Sequence, residues 1–213
     1  MGKRLSFLVV LCFLAVIFHA QDASDESSRS LTAAEHIAAL EGNTLLVRLP
    51  SNRKKIQSIE ASLSNDDLSE KGRLRLAQLL ESTRQETEEM HENYIQAFRD
   101  EYSFSSFGLF FDYDTPAVLE GWGKVYQDDL VSPVDVAWDQ PWYVLSLGQT
   151  PDSRLDGMVV LDHQLDVVPR PFPNNVLTSG MAAIGAWFAG GPSEHYFVRK
   201  LQKNLARFAE RTR

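Results

Sequence analysis

Cysteine is almost absent from this sequence of 213 residues, because Cys12 is the only one. It lies inside an apolar run near the N terminus, so the rest of the chain has no thiol. That excludes a disulfide framework, a thiolate metal site and a cysteine nucleophile. The motifs of serine hydrolases (GxSxG), of P-loop nucleotide sites and of zinc proteases (HExxH) are missing as well. Basic residues are the minority, with 21 Lys and Arg against 29 Asp and Glu.

The first residues have the pattern of a secretory signal peptide. Lys3 and Arg4 precede an apolar run from Leu5 to Phe18, and Ala20 supplies a small residue for cleavage. The run is shorter than the roughly 20 residues that a membrane-spanning helix needs, which makes an uncleaved anchor the less favoured alternative. We therefore predict a signal peptide over residues 1–20 and a protein that is secreted or periplasmic.

The remaining chain divides into a short leader and one domain. Residues 21–31 are polar and Ser-rich, which predicts a disordered leader, and 32–213 have the size of a single domain. Without Lys3 and Arg4, 19 basic and 29 acidic residues remain, a net charge of −10. Such a surface repels nucleic acid and anionic lipid. We expect an unknown protein or a small molecule as partner, no cofactor and no stable insertion into a membrane.

Apolar runs that alternate with amphipathic stretches predict an α/β fold, on the border with α+β. The predicted strands are 43–49, 104–111, 142–147, 157–161 and a short 165–168; the predicted helices are 32–41, 67–100, 115–121, 181–189, one that begins at 51 and one that begins at 193. Two helices between the first strands favour a parallel pair, and the later short connection favours an antiparallel hairpin. We predict a three-layer sandwich, with a mixed central sheet of four to five strands and helices on both faces.

The order of these elements is similar to the thioredoxin-like arrangement. The resemblance includes Pro141, which stands directly before the third strand. The CxxC motif of that family is not in the chain, so the resemblance implies a strand order and no redox exchange.

Phe104–Asp114 is the most apolar and aromatic stretch outside the N terminus, and it predicts a strand buried on both faces. Asp112 and Asp114 follow its end, where open α/β sheets bind ligands. This pair resembles that of haloacid-dehalogenase-type phosphohydrolases, which implies a nucleophile at Asp112 and a general acid at Asp114. The second acidic cluster of that family would include Asp162. DxD-type sugar-nucleotide transferases share the same pair.

A local function for the two acids is the alternative. The chain departs from the phosphohydrolase pattern at Pro116, and Asp residues at such a position commonly hydrogen-bond a turn and the start of the next helix. Asp112 and Asp114 would then cap the turn and the helix at 115–121.

Two further segments suggest contact surfaces. Residues 122–140 have no period and predict a long loop with Trp122 and Trp138, aromatic residues that line a groove or seal a core. Helix 181–189 is apolar nearly all round, as expected of a buried helix or a contact surface.

Three hypotheses follow, and whether the protein is an enzyme stays open among them. The first is a non-catalytic exported protein that binds a ligand between the 122–140 loop and the strand ends. The second is a metal-dependent phosphohydrolase, and the third is a structural or adaptor subunit that contacts partners through helix 181–189. The candidate binding residues are Asp112, Asp114, Trp122, Trp138 and Asp162.

Overall fold

A five-stranded mixed sheet lies at the centre of the fold. The computed structural model describes residues 31–150 and 153–213, so the predicted signal peptide and almost all of the predicted leader lie outside the described residues. The strands are β1 (Thr44–Leu49), β2 (Ser106–Phe111), β3 (Tyr143–Gln149), β4 (Asp156–Leu161) and β5 (Asn175–Leu177). Their order is β2-β1-β3-β4-β5. β1 is parallel to β2 and β3, and β4 is antiparallel to β3 and β5. The predicted α/β class and mixed sheet are confirmed.

Six α-helices accompany the sheet in the part of the chain that the structure describes. They are α1 (Ala33–Gly42), α2 (Arg53–Leu63), α3 (Glu70–Glu101), α4 (Thr115–Leu119), α5 (Met181–Ala189) and α6 (Ser193–Thr212). The long helix α3 begins after Ser69, whose hydroxyl accepts a hydrogen bond from the Gly72 amide over 3.2 Å, a typical helix cap. None of these six helices has both the length and the apolar sequence that crossing a lipid bilayer requires.

One face of the sheet packs against α1, α3 and α6. Residues alternate across a strand, so Leu45, Val47 and Leu49 of β1 all point to this face, and all three are fully buried. Phe98 of α3 and Leu201 of α6 belong to the same buried cluster, which we call the first core. The apolar sides of α3 and α6 therefore cover this face of the sheet.

The other face is covered by the short helix α4 and by irregular chain. Its buried cluster, the second core, consists of Leu46, Phe110, Val118, Val125, Trp142 and Val144. Val118 comes from α4, whereas Val125 and Trp142 come from the chain between α4 and β3. A helix thus lies on each face, as predicted, but most of the second layer is the long loop. The loop packs on the sheet because it supplies apolar side chains that α4 alone is too short to provide.

Two strands differ from their predicted positions. The stretch at 104–111, predicted to lie inside the sheet, forms the edge strand β2, with β1 on its inner side. A bridge between Leu109 and Tyr126, with N–O distances of 2.8 and 2.7 Å, covers part of its outer edge. The predicted strand 165–168 makes only an isolated bridge between Val167 and Leu161, and β5 takes its place beside β4.

Candidate functional site

Asp112 connects the carboxyl ends of β1 and β2. Its Oδ1 accepts hydrogen bonds from the backbone N and the Oγ of Ser51, over 3.1 and 2.5 Å. Ser51 is separated from the end of β1 by Pro50 alone. Asp114 stands at the start of α4, and its side chain makes no cap hydrogen bond there. The carboxylate of Asp112 therefore stabilises the turn between β1 and α2. This differs from the local alternative, in which both acids cap their own turn and the helix that follows it.

Asp162 lies at the opposite end of the sheet from Asp112. It follows β4, which runs antiparallel to β3 and therefore ends where β1, β2 and β3 begin. Its Oδ1 accepts hydrogen bonds from the backbone N atoms of Gln164 and Asp166, both over 2.9 Å. The structure does not bring Asp162 to Asp112 and Asp114. Over the described ranges no group of three or more His, Cys, Asp or Glu side chains could share a metal ion.

The two candidate tryptophans occupy different environments. Trp138 is half-buried and packs edge-on against Trp142 of the second core, with ring centroids 5.5 Å apart and an interplanar angle of 89°. Trp122 is 68% exposed, and its Nε1 donates to Glu120 Oε2 over 2.7 Å. Trp138 therefore seals the core, and of the two only Trp122 is available to a partner.

A broad cleft of about 750 Å³ lies at the carboxyl ends of β1 and β2. The first turn of α2 lines one side with Arg53, Lys54 and Lys55, and Asp112 and Tyr113 line the other. The Arg53 guanidinium lies over the Tyr113 ring, 5.2 Å from its centroid. Partial burial, and then the nearby carboxylate of Asp114, raise the pKa of the Tyr113 phenol above its ordinary value. The predicted ligand site lay between the 122–140 loop and the strand ends, whereas this cleft lies between α2 and the strand ends and is not lined by that loop.

A smaller cavity of about 290 Å³ contains Arg48, a residue that the sequence analysis did not select. Arg48 is half-buried near the carboxyl end of β1, and its Nη2 donates to Ser146 Oγ of β3 over 2.5 Å. In the described ranges the guanidinium has no carboxylate partner within ion-pair distance. Gly148 and Val159 are among the other lining residues.

The topology of the sheet gives this cavity its position. The chain leaves β1 for β2 on one side and later returns to β3 on the other side, so the strand order reverses between β1 and β3. Open α/β sheets bind ligands beyond the carboxyl ends of the strands at such a point. Arg48, Gly148 and Gln149 bring the cavity to these ends, whereas Val159 and Leu161 extend it along the face of β4. A signal for Arg48 was present in the sequence, because it is the one charged residue in a mostly apolar strand, TLLVRL.

Helix α5 leaves large apolar side chains in solvent. Met181, Ile184, Trp187 and Phe188 are 81%, 48%, 77% and 76% exposed, whereas Ala186 is buried against the first core. The interpretation of this segment as a buried helix is therefore wrong, and its use as a contact surface stays a prediction.

No family model, curated protein or solved structure matches the chain. The thioredoxin-like resemblance and the phosphohydrolase-like function of the acids therefore stay predictions from the sequence.

Proposed function

We propose that the protein is an exported, non-catalytic binding protein that holds a small organic anion against Arg48. The observation that supports this most directly is a half-buried guanidinium that faces a cavity and has no carboxylate partner among the described residues. A buried or half-buried charge is costly unless it is paired, so an anionic ligand would supply what the chain itself does not.

The chemistry of the cavity favours a carboxylate or a phosphate group. A guanidinium presents its N–H donors as a planar fork, which matches two oxygens of either group. Ser146 holds one arm of Arg48, and this contact restrains the orientation of the fork. Val159 and Leu161 of β4 line the cavity with apolar side chains. With about 290 Å³ the cavity lies at the lower end of ligand pockets, so we expect a ligand of few heavy atoms.

Binding is favoured over catalysis because of what lines the cavity. Its lining consists of Arg48, Ser146, Leu147, Gly148, Gln149, Val159, Leu161 and Val167. In this described set there is no His, Asp, Glu or Lys that could act as general acid or base, the groups on which most proton transfer depends.

Export is supported by the Lys3–Phe18 pattern, and we expect the purified native protein to begin near Gln21.

Titration calorimetry with acetate, succinate and inorganic phosphate tests the proposal. We expect the wild type to bind at least one of these anions, and Arg48→Met to weaken that binding at least tenfold while it keeps the aliphatic part of the side chain. Arg84→Met is the matched control, because Arg84 is an exposed arginine paired with Glu60 over 2.7 Å. It should bind as the wild type does.

Two outcomes would contradict the proposal. The first is a wild type that binds none of the three anions, and the second is an Arg48→Met protein that binds with unchanged affinity. Circular dichroism of each variant shows whether a loss of binding comes from a loss of fold.

A further inference from the structure

The apolar surface of α5 continues into a segment without charge. We define the apolar face as Met181, Ile184, Trp187 and Phe188, which recur at helical spacing on one side of α5. Trp187 and Phe188 lie edge to face, with ring centroids 4.9 Å apart. From Pro171 to Ser193 the sequence contains no charged residue. A partner of this face must be apolar where it touches α5. Such a contact contains no ion pairs, because this segment has no charged side chain to form them.

The following helix, α6, carries a basic row on its outer side. The row consists of Lys200, Lys203, Arg207 and Arg211, spaced by three and four residues, while the opposite side of the helix is buried in the first core. In the described part of the chain these four side chains form no ion pair, whereas Arg199 pairs with Glu101 and Arg213 with Glu41. Residues 193–213 contain six Lys and Arg and two Glu, in a chain whose net charge is −8.

Tyr196 connects the apolar face to the basic row. It precedes Lys200 by four residues and therefore stands at the start of the same row on α6. Its ring lies against α5 at Gly185, where an added Cβ would be 2.9 Å from the Tyr196 hydroxyl. The row thus begins close to the point where the two helices touch.

From this juxtaposition we infer that α5 and α6 dock the protein on the surface of an anionic phospholipid bilayer. Apolar side chains with a tryptophan insert at the level of the headgroups, and neighbouring Lys and Arg bind anionic lipid. Helix α5 has nine residues and is too short to span a bilayer, so it lies in the interface.

The charge pattern and the area favour a bilayer over other partners. Aromatic side chains bury roughly 150–250 Å² each, so the apolar face offers on the order of 500 Å². A stable protein interface needs about 800 Å² per partner. A second copy of the chain would in addition bring two basic rows together, and like charges repel.

The negative net charge of the whole chain predicts repulsion of anionic lipid. That expectation averages over the surface, but charges act only over a Debye length of about 10 Å. The structure gathers unpaired basic side chains on one helix, so the local charge at this surface is positive.

Co-sedimentation of the purified protein with vesicles tests the inference. We expect binding to vesicles of phosphatidylcholine mixed with phosphatidylglycerol, weak binding to phosphatidylcholine alone, and loss of binding at high salt. Trp187→Ser with Phe188→Ser, and separately Lys203→Glu with Arg207→Glu, should each weaken binding at least tenfold. The matched controls are Trp122→Ser, an exposed tryptophan elsewhere, and Lys54→Glu with Lys55→Glu on α2; both should bind as the wild type does.

Several results would overturn the inference. They are a wild type that binds neither kind of vesicle, equal binding to both kinds, or affected binding in the controls but not in the α5 and α6 variants. A wild-type dimer in light scattering that Trp187→Ser converts to monomer would assign the face to a second copy instead. All changed residues are exposed or half-buried, and circular dichroism confirms that each variant is folded.

Discussion

Phe110 and Phe111 are neighbours in β2 whose side chains point to opposite faces of the sheet, so truncating each one measures how well each face is packed. Phe110 is 1% exposed and belongs to the second core, together with Leu46 of the neighbouring strand β1. Phe111 is only partly buried, and its ring stacks on Tyr113 at a centroid distance of 5.4 Å.

The two substitutions should therefore differ in cost. Phe110→Ala removes a fully buried ring and leaves a cavity, which should lower the free energy of unfolding by about 3–5 kcal/mol. Phe111→Ala loses partial burial and an aromatic pair worth about 0.5–1.5 kcal/mol, so we expect a total of about 1–2 kcal/mol. Phe188→Ala is the matched control, since its ring is 76% exposed and its loss should change stability by less than about 0.5 kcal/mol.

Urea unfolding followed by far-UV circular dichroism measures all three variants under the same conditions. A Phe110→Ala protein as stable as the Phe188→Ala control would refute the reasoning, because the irregular chain over the second face would then not form a packed core. Equal losses at Phe110 and Phe111 would show that the two faces are packed alike.

Two further predictions concern pH and metal ions. His36 is buried and lies 3.0 Å from the Tyr143 hydroxyl; burial lowers the pKa of His36, partly opposed by Asp162. The unfolded chain then takes up the proton first as the pH falls, so this contribution to stability is complete above about pH 6.5 and is lost below it. Urea midpoints across that range should show this slope, His36→Asn should flatten it, and an unchanged slope would exclude His36 as the cause. For metal ions, Mg²⁺ should leave the melting temperature of the wild type unchanged, and Asp112→Ala should cost about 1–2 kcal/mol because Ser51 loses its acceptor. A rise with Mg²⁺ that Asp112→Asn abolishes would instead favour the phosphohydrolase hypothesis.

Much of the secondary structure was readable from the sequence. Helix 181–189 has the bounds that were predicted, and the long helix predicted over 67–100 spans Glu70–Glu101. The parallel pairing of β1 with β2 and the antiparallel hairpin of β3 with β4 were also predicted. These features depend on local signals, namely helix caps, the period of apolar residues and the lengths of connections. Such signals involve residues close together in the chain and are therefore visible in a short stretch of sequence.

The tertiary structure alone decided which residues meet. The pairing of Arg48 with Ser146 joins strands almost a hundred residues apart, and no local pattern specifies it. No local pattern specifies the edge position of β2 either. Asp162 lies at the opposite end of the sheet from Asp112 because β4 runs antiparallel to β3. An apolar helix such as α5 has the same sequence pattern whether it is buried or exposed. Its exposure depends on whether another element of the fold covers it. Here only the side of Ala186 is covered, and Met181, Trp187 and Phe188 face solvent.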